Sequence, residues 1–204
     1  IITAIDSVAY GRNEDVNIDI TLLNSGTSQD VAAEIWIEDI DGYAVKLLDT
    51  IRLSLSYGIK KDYSLVWNTG LNYAGSYRVH SILKNNSGIL AENVVPFTLR
   101  PDISVALTAA TDKTDYEQNE NVDISISVKN SGGNYVIPGL SAKVKIVDVN
   151  GSEYFTDTKF IINFLPGVTT SMSSFWNTGA NAPGAYTVVV EIYIYGQLIS
   201  SKTT

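Results

Sequence analysis

The chain has 204 residues, 45% of them hydrophobic, with 12 Tyr, 3 Trp, no Cys and a formal net charge of −8 at pH 7. That hydrophobic share exceeds what a disordered chain carries, and the lack of Cys removes disulfide scaffolds, Cys-zinc sites and Cys nucleophiles together. A pI of about 4.5 repels phosphate backbones and anionic lipid, so no nucleic-acid partner is expected.

The first apolar-alternating run covers 2–9. After it, Val16, Ile18, Ile20 and Leu22 alternate with Asn17, Asp19, Thr21 and Leu23, the period of a strand with one face in a core and one in water. Asn24-Ser25-Gly26 closes that run, and further strands are predicted at 31–39, 43–55, 60–67, 77–84 and 89–99. Turn chemistry separates them, as at Asp39-Ile40-Asp41-Gly42 and Tyr57-Gly58. Trp67-Asn68-Thr69-Gly70 reads as a strand end and turn. Gly75-Ser76-Tyr77 then starts the next strand in the manner of a tyrosine corner, whose ring is buried and whose hydroxyl is spent on backbone.

The pattern then repeats. Tyr10, Asn13-Glu14, Val16, Ile18, Ile20 and Asn24-Ser25-Gly26 correspond to Tyr116, Asn119-Glu120, Val122, Ile124, Ile126 and Asn130-Ser131-Gly132. Farther on, Asp39–Gly42 corresponds to Asp148–Gly151 and Trp67–Gly70 to Trp176–Gly179, the second copy having gained residues around 132–139. A repeat of roughly 100 residues is too long for a solenoid unit and suits tandem domains. About seven short strands per copy, with no helical stretch, predict an all-β protein of two tandem immunoglobulin-like antiparallel β-sandwiches, 1–100 and 101–204. Arg100-Pro101-Asp102 is the short joint between them. The counterpart of Phe97-Thr98-Leu99 falls past Thr204, so the last strand of the second module is expected to be truncated. The segment is read as part of a longer protein with further domains, any signal or anchor lying outside it. No run approaches the ~18 apolar residues of a membrane span, and no membrane insertion is expected.

The run Tyr-x-x-x-Glu-x-Val, the alternating residues after it and Asn-x-Gly resemble bacterial Ig-like modules of extracellular proteins, including those named for a role in cell adhesion. The WNTG…PGAYTV segment, from Trp176 to Val188, is similar to the Trp, Gly-turn, Gly-x-Tyr endings of bacterial Ig-like domains of flagellar hook-capping and proteinase-inhibitor types. Asn13 and Asn119 stand where many of these families carry Gly, and Asn is the non-glycine residue most tolerant of a left-handed turn. The resemblance implies a secreted or cell-surface location and a structural or binding role.

Glu38, Asp39 and Asp41 crowd one turn, but Asp-Gly suits a hairpin and the second copy keeps the turn as Val149-Asn150-Gly151 with most of the charge gone. Asp102, Asp112 and Asp115 carry no metal motif; no metal and no cofactor is expected. His80 is the single His, its counterpart is Val189, and no nucleophile motif accompanies it. The chain is therefore read as a non-enzyme, with no catalytic residues. Trp36 is a more productive candidate. With Ile35 and Ile37 facing inward, Trp36 faces out where the second copy has Lys145, on the same sheet face as His80 and Ile82. Trp36, His80 and Ile82 are the expected ligand-binding residues, with Tyr193 and Tyr195 lining the corresponding face of the second copy. The expected role is a tandem Ig-like binding module, acting in adhesion or as a spacer that presents a surface to a protein or glycan ligand. The alternatives are a carbohydrate-binding accessory module of a larger extracellular enzyme, and a proteinase-inhibitor-like module.

Overall fold

Fifteen β-strands and no helix make up the computed structural model, which describes residues 1–204. Contacts divide it into two units, Ile1–Asp102 and Ile103–Thr204, so the division falls at 102/103 against the 100/101 joint read from sequence. The protein is all-β and built from antiparallel β-sandwiches.

Unit 1 contains β1 (Ile2–Ile5), β2 (Ala9–Tyr10), β3 (Asp15–Leu23), β4 (Gln29–Asp39), β5 (Ala44–Leu55), β6 (Lys60–Asn68), β7 (Gly75–Asn85) and β8 (Gly88–Leu99). One sheet has the order β1-β3-β6 and the other β2-β8-β7-β4-β5, every pairing antiparallel except β2 with β8. The core follows from the alternation: Val16, Ile18, Ile20 and Leu22 of β3 are fully buried, as are Ala33, Ile35 and Ile37 of β4 and Val79 of β7. Each large apolar side chain so buried contributes about 1.5–3 kcal/mol. Ser81 also faces inward and is buried, and its hydroxyl accepts a hydrogen bond from Thr3 Oγ1 at 2.8 Å, so the polar group does not sit unpaired in the core.

The single run expected at 2–9 is two strands, because Asp6 ends the first. Its carboxylate accepts from Tyr10 Oη at 2.7 Å, Asn17 N at 3.1 Å and Asn17 Nδ2 at 2.7 Å. These bonds let the chain leave the edge of β3 and join β8 in the opposite sheet.

Unit 2 contains β9 (Val105–Thr111), β10 (Asn121–Asn130), β11 (Ile137–Asp148), β12 (Glu153–Phe164), β13 (Thr169–Asn177), β14 (Tyr186–Ile194) and β15 (Gln197–Thr203). Its sheets are β9-β10-β13 and β12-β11-β14-β15. Val122, Ile124, Ile126 and Val128 repeat the role of the β3 residues against Val144, Ile146, Val190 and Ile192.

The repeated motifs are joints in both units. Thr69 Oγ1 donates to Gly11 O at 2.9 Å and accepts from Glu14 N at 3.0 Å; Thr178 Oγ1 does the same with Glu117 O at 2.7 Å and Glu120 N at 3.0 Å. Asn68 and Asn177 brace the facing turn through the carbonyls of Asn13 and Asn119. Those two residues hold φ of 55° and 60°, the left-handed conformation that Asn tolerates best after Gly. Tyr77 and Tyr186 donate to the backbone oxygens of Tyr73 and Ala182 at 2.7 and 2.8 Å, as a tyrosine corner requires. Buried Asn24 and Asn130 each tie a loop through two carbonyls, Thr27 and Leu55 in one unit, Tyr135 and Phe164 in the other.

Candidate functional site

In both units the outer face of the larger sheet carries the side chains that do not repeat. On unit 1, Trp36 of β4 lies directly across from His80 of β7 and from Leu47 of β5, and Ile82 stands opposite Glu34 one step along. The three residues singled out in the sequence therefore share one face. Trp36, His80 and Ile82 are each half-buried rather than fully exposed.

Glu38 organises the polar side of this face. It is 9% exposed; Arg78 Nε donates to its Oε2 at 2.7 Å, and His80 Nδ1 lies 3.0 Å from its Oε1. Burial works against ionisation of Glu38, but the bonds from His80 and Arg78 outweigh it and hold the carboxyl below its ordinary range. His80 Nε2 lies 3.0 Å from Glu92 Oε2, so both ring nitrogens face carboxylates and the imidazole is a bridge between strands. Glu34 pairs with Lys84, which, helped by the Trp36 indole, lowers the Glu34 carboxyl as well. On this face of unit 1 a half-buried indole is set among ion pairs.

The acidic turn is occupied by its own backbone. Asp39 Oδ1 accepts from Asp41 N at 3.0 Å and Tyr43 N at 2.9 Å, and Asp148 Oδ1 accepts from Asn150 N at 2.8 Å and Ser152 N at 2.9 Å. Turn formation accounts for both carboxylates. No group of three or more His, Cys, Asp or Glu side chains is arranged to hold a metal ion.

Unit 2 presents a different surface. Ser141 of β11 stands between Phe160 of β12 and Tyr193 of β14, and Gly139 stands beside Ile162. Two small residues thus form the floor of a groove of about 220 Å³, walled by Phe160 and Ile162 on one side and by Tyr193 and Tyr195 on the other. Phe160 and Ile162 are each 75% exposed and Tyr195 69%. Tyr135 Oη and Tyr195 Oη lie 2.9 Å apart, and Tyr193 Oη donates to Glu191 Oε2 at 2.8 Å. Glu191 also pairs with Lys145 Nζ at 2.7 Å. The bond from Lys145 holds the Glu191 carboxyl below its usual range, and the bond to Glu191 raises both Lys145 and the Tyr193 phenol. The hydroxyls of both groove tyrosines are thus hydrogen-bonded, Tyr193 to Glu191 and Tyr195 to Tyr135.

Tyr193 and Tyr195 were legible from strand alternation; Phe160 and Ile162 were not. Their place depends on the register of β12 against β11, which puts them across from Gly139 and Ser141. A Phe-x-Ile pair in one strand facing Gly-x-Ser in its neighbour is the signal, and it becomes visible only once the pairing is known.

No family model and no curated protein matches the chain. Among solved structures, a glycosyl hydrolase family 2 member from Bacteroides cellulosilyticus aligns over 95% of this chain and 26% of its own, with 12% identity and a TM-score of 0.39. Red sea bream transglutaminase aligns over 100% of this chain and 30% of its own, with 11% identity and a TM-score of 0.37. The chain thus spans less than a third of either protein. At TM-scores this low, neither likeness carries an argument about activity or ligand.

Proposed function

We propose that the chain is a non-enzymatic pair of Ig-like modules from a secreted or cell-surface protein, and that it presents the groove of unit 2 to a glycan. The observation that supports this reading is the aromatic and aliphatic wall on either side of a Gly139 and Ser141 floor. A sugar ring has apolar C–H faces and a hydroxylated rim. Such a ring would stack on Tyr193, Tyr195 or Phe160 while its rim meets the Ser141 and tyrosine hydroxyls. The groove volume of about 220 Å³ is below the roughly 300–1,000 Å³ of an enclosed small-molecule pocket. That favours shallow contact along an extended chain over engulfment of a substrate. Apart from tyrosine hydroxyls the lining has no titratable group, so it offers no acid–base pair for hydrolysis. Trp36, with His80 and Ile82 beside it, is a second and smaller contact on unit 1 in this reading.

The test is titration of a panel of soluble polysaccharides with the intact chain and with Phe160→Ala, Tyr193→Ala and Trp36→Ala. Loss of one stacked ring removes about 0.5–1.5 kcal/mol, so each unit 2 variant is expected to bind roughly two- to tenfold more weakly, with Trp36→Ala the milder change. Binding to no glycan, or binding indifferent to Phe160 and Tyr193, defeats the reading. Capture of a protein ligand through the same residues would leave adhesion as the function and remove the glycan.

A further inference from the structure

On one side the larger sheet of each unit ends at a strand edge that pairs with no other strand, at β5 in unit 1 and at β12 in unit 2. Such an edge is a template for another strand, and bulges are one device that blunts it. Two register shifts interrupt β5 against β4, at Ile35/Trp36 and Ile37/Glu38. β12 has one against β11, at Ile146/Val147, beside Tyr154. From Phe155 to Ile162 its pairing then runs regularly, until Asn163 turns the backbone with φ of 49°. Along that stretch Thr156, Thr158, Phe160 and Ile162 face solvent, while Phe155, Asp157, Lys159 and Ile161 point toward the other sheet. Asp157 pairs with Lys159 Nζ at 2.8 Å and accepts from Ser174 Oγ of that sheet at 2.7 Å. The bonds from Lys159 and then Ser174 hold its carboxyl below the usual range.

Parity and charge decide which strand fits this edge. Residues directly opposite in an antiparallel pair share a face, so a second β12 can pair with the first only about a two-fold axis that passes through a residue. An axis at Asp157 sets that carboxylate against its own copy, and an axis at Lys159 does the same to the ammonium. Like charges directly opposite are destabilising. The axis at Thr158 instead sets Asp157 opposite the partner's Lys159, and symmetry makes that pair twice. It also sets Thr156 opposite the partner's Phe160 and Phe155 opposite the partner's Ile161, all inside the regular stretch. Charges aimed inward on an edge strand ordinarily discourage docking; an acid and a base two residues apart oppose the neighbouring registers and leave this one open.

We propose that the edge of β12 is a self-association surface, on which a second copy of this chain lays its own β12 antiparallel about a two-fold axis at Thr158. The chemistry is β-strand addition, in which main-chain bonds give affinity and facing side chains give register. The partner is a second copy because the strand is complementary to itself in charge at one register. Two four-stranded sheets then join into one of eight strands. The axis of such a pair stands perpendicular to the sheet, so the Gly139 grooves of both copies open on the same side. The proposal does not rest on the glycan reading, because its readout is the oligomeric state with no sugar present.

The chain has no Cys, so one substitution supplies its only thiol. Facing residues of an antiparallel pair have Cα atoms about 4.5–5.5 Å apart, within the roughly 4.4–6.8 Å that a disulfide spans. At the proposed register only Thr158 faces its own copy, while Thr156 lies four strand steps, about 13 Å, from its own. Thr158→Cys is therefore expected to form a disulfide dimer under mild oxidation roughly tenfold or more faster than Thr156→Cys or Phe160→Cys. An equimolar mixture of those last two is expected to cross-link one to the other. Sedimentation equilibrium of the unaltered chain should show monomer and dimer, and Lys159→Glu should weaken the dimer roughly tenfold or more. A chain that stays monomeric up to about 1 mM overturns the proposal. So do equal cross-linking rates in the three Cys variants, or a dimer indifferent to Lys159→Glu, since either puts the contact elsewhere.

Discussion

Unit 1 surrounds Phe97 with Tyr10, Trp67 and Tyr77, and in unit 2 Trp176 meets Tyr186 at 5.3 Å while Tyr154 meets that tyrosine edge-on at 5.2 Å. The Thr and Asn bonds that brace the turns beside the two tryptophans are the same in both units. In both units this end of the sandwich is held by local turn chemistry and inter-sheet packing. The outer sheet faces differ in the opposite sense. Unit 1 covers its face with ion pairs centred on Glu38, while unit 2 leaves Phe160 and Ile162 in solvent. What recurs is architectural, and what differs is where binding is to be sought.

The strongest way to break this comparison is Phe97→Ala, which empties the centre of the unit 1 ring cluster. Truncating a buried Phe costs about 3–5 kcal/mol, read as a lower guanidinium midpoint for unit 1. A loss under ~1 kcal/mol would mean that the ring cluster does not act as a core. Next is the shared joint. Thr69→Val leaves the Glu14 amide and the Gly11 carbonyl without their side-chain partner, at a cost of about 1–3 kcal/mol, whereas after Thr178→Val the Glu120 amide still reaches Glu117 O at 3.4 Å. Thr69 should lie at the upper end because it is fully buried and Thr178 only half-buried. Equal and negligible losses in chemical denaturation would remove the WNTG turn from the list of structural joints.

Smaller still, Tyr77→Phe and Tyr186→Phe remove one hydroxyl-to-carbonyl bond each, and thermal unfolding should register ~0.5–1.5 kcal/mol apiece. The least change is expected from acid. Hydrogen bonds from Tyr10 and then Asn17 lower the Asp6 carboxyl from its ordinary 3.8 to about 2, and the bond from Tyr116 lowers Asp112 in the same direction. A carboxyl whose folded value is depressed stabilises the fold above its unfolded value and loses that contribution as pH falls through the folded one. The Asp6 contribution is thus complete above about pH 3.8 and fades toward about pH 2. Asp6→Asn should flatten that acid limb of the melting curve for unit 1; an unchanged limb would show that the Asp6–Tyr10 bond carries no pH dependence.

The strands were legible because one face of each is buried. Val16-x-Ile18-x-Ile20-x-Leu22 can sit in a sandwich in only one orientation, and a one-residue slip would put four apolar side chains in water. The tyrosine corners and the left-handed Asn13 and Asn119 were legible for a related reason, since their chemistry is completed within a few residues along the chain. Trp36, His80 and Ile82 could be assigned to one face by parity alone. That Glu38 and Glu92 would engage both nitrogens of His80 could not, because those contacts span 42 and 12 residues and rest on strand register.

Amino-acid order alone determined the all-β class, the two copies, the direction in which each β3 and β10 side chain points and the turns between strands, because period, turn residues and repeat are properties of neighbours in the chain. Tertiary structure decided which strands lie side by side, and with that the groove of Gly139 and Ser141 between Phe160, Ile162, Tyr193 and Tyr195. It also decided that the chain crosses between sheets at Asp6. Each of these depends on a register between segments distant in sequence, which pairing energy over the whole sandwich selects and no local pattern encodes.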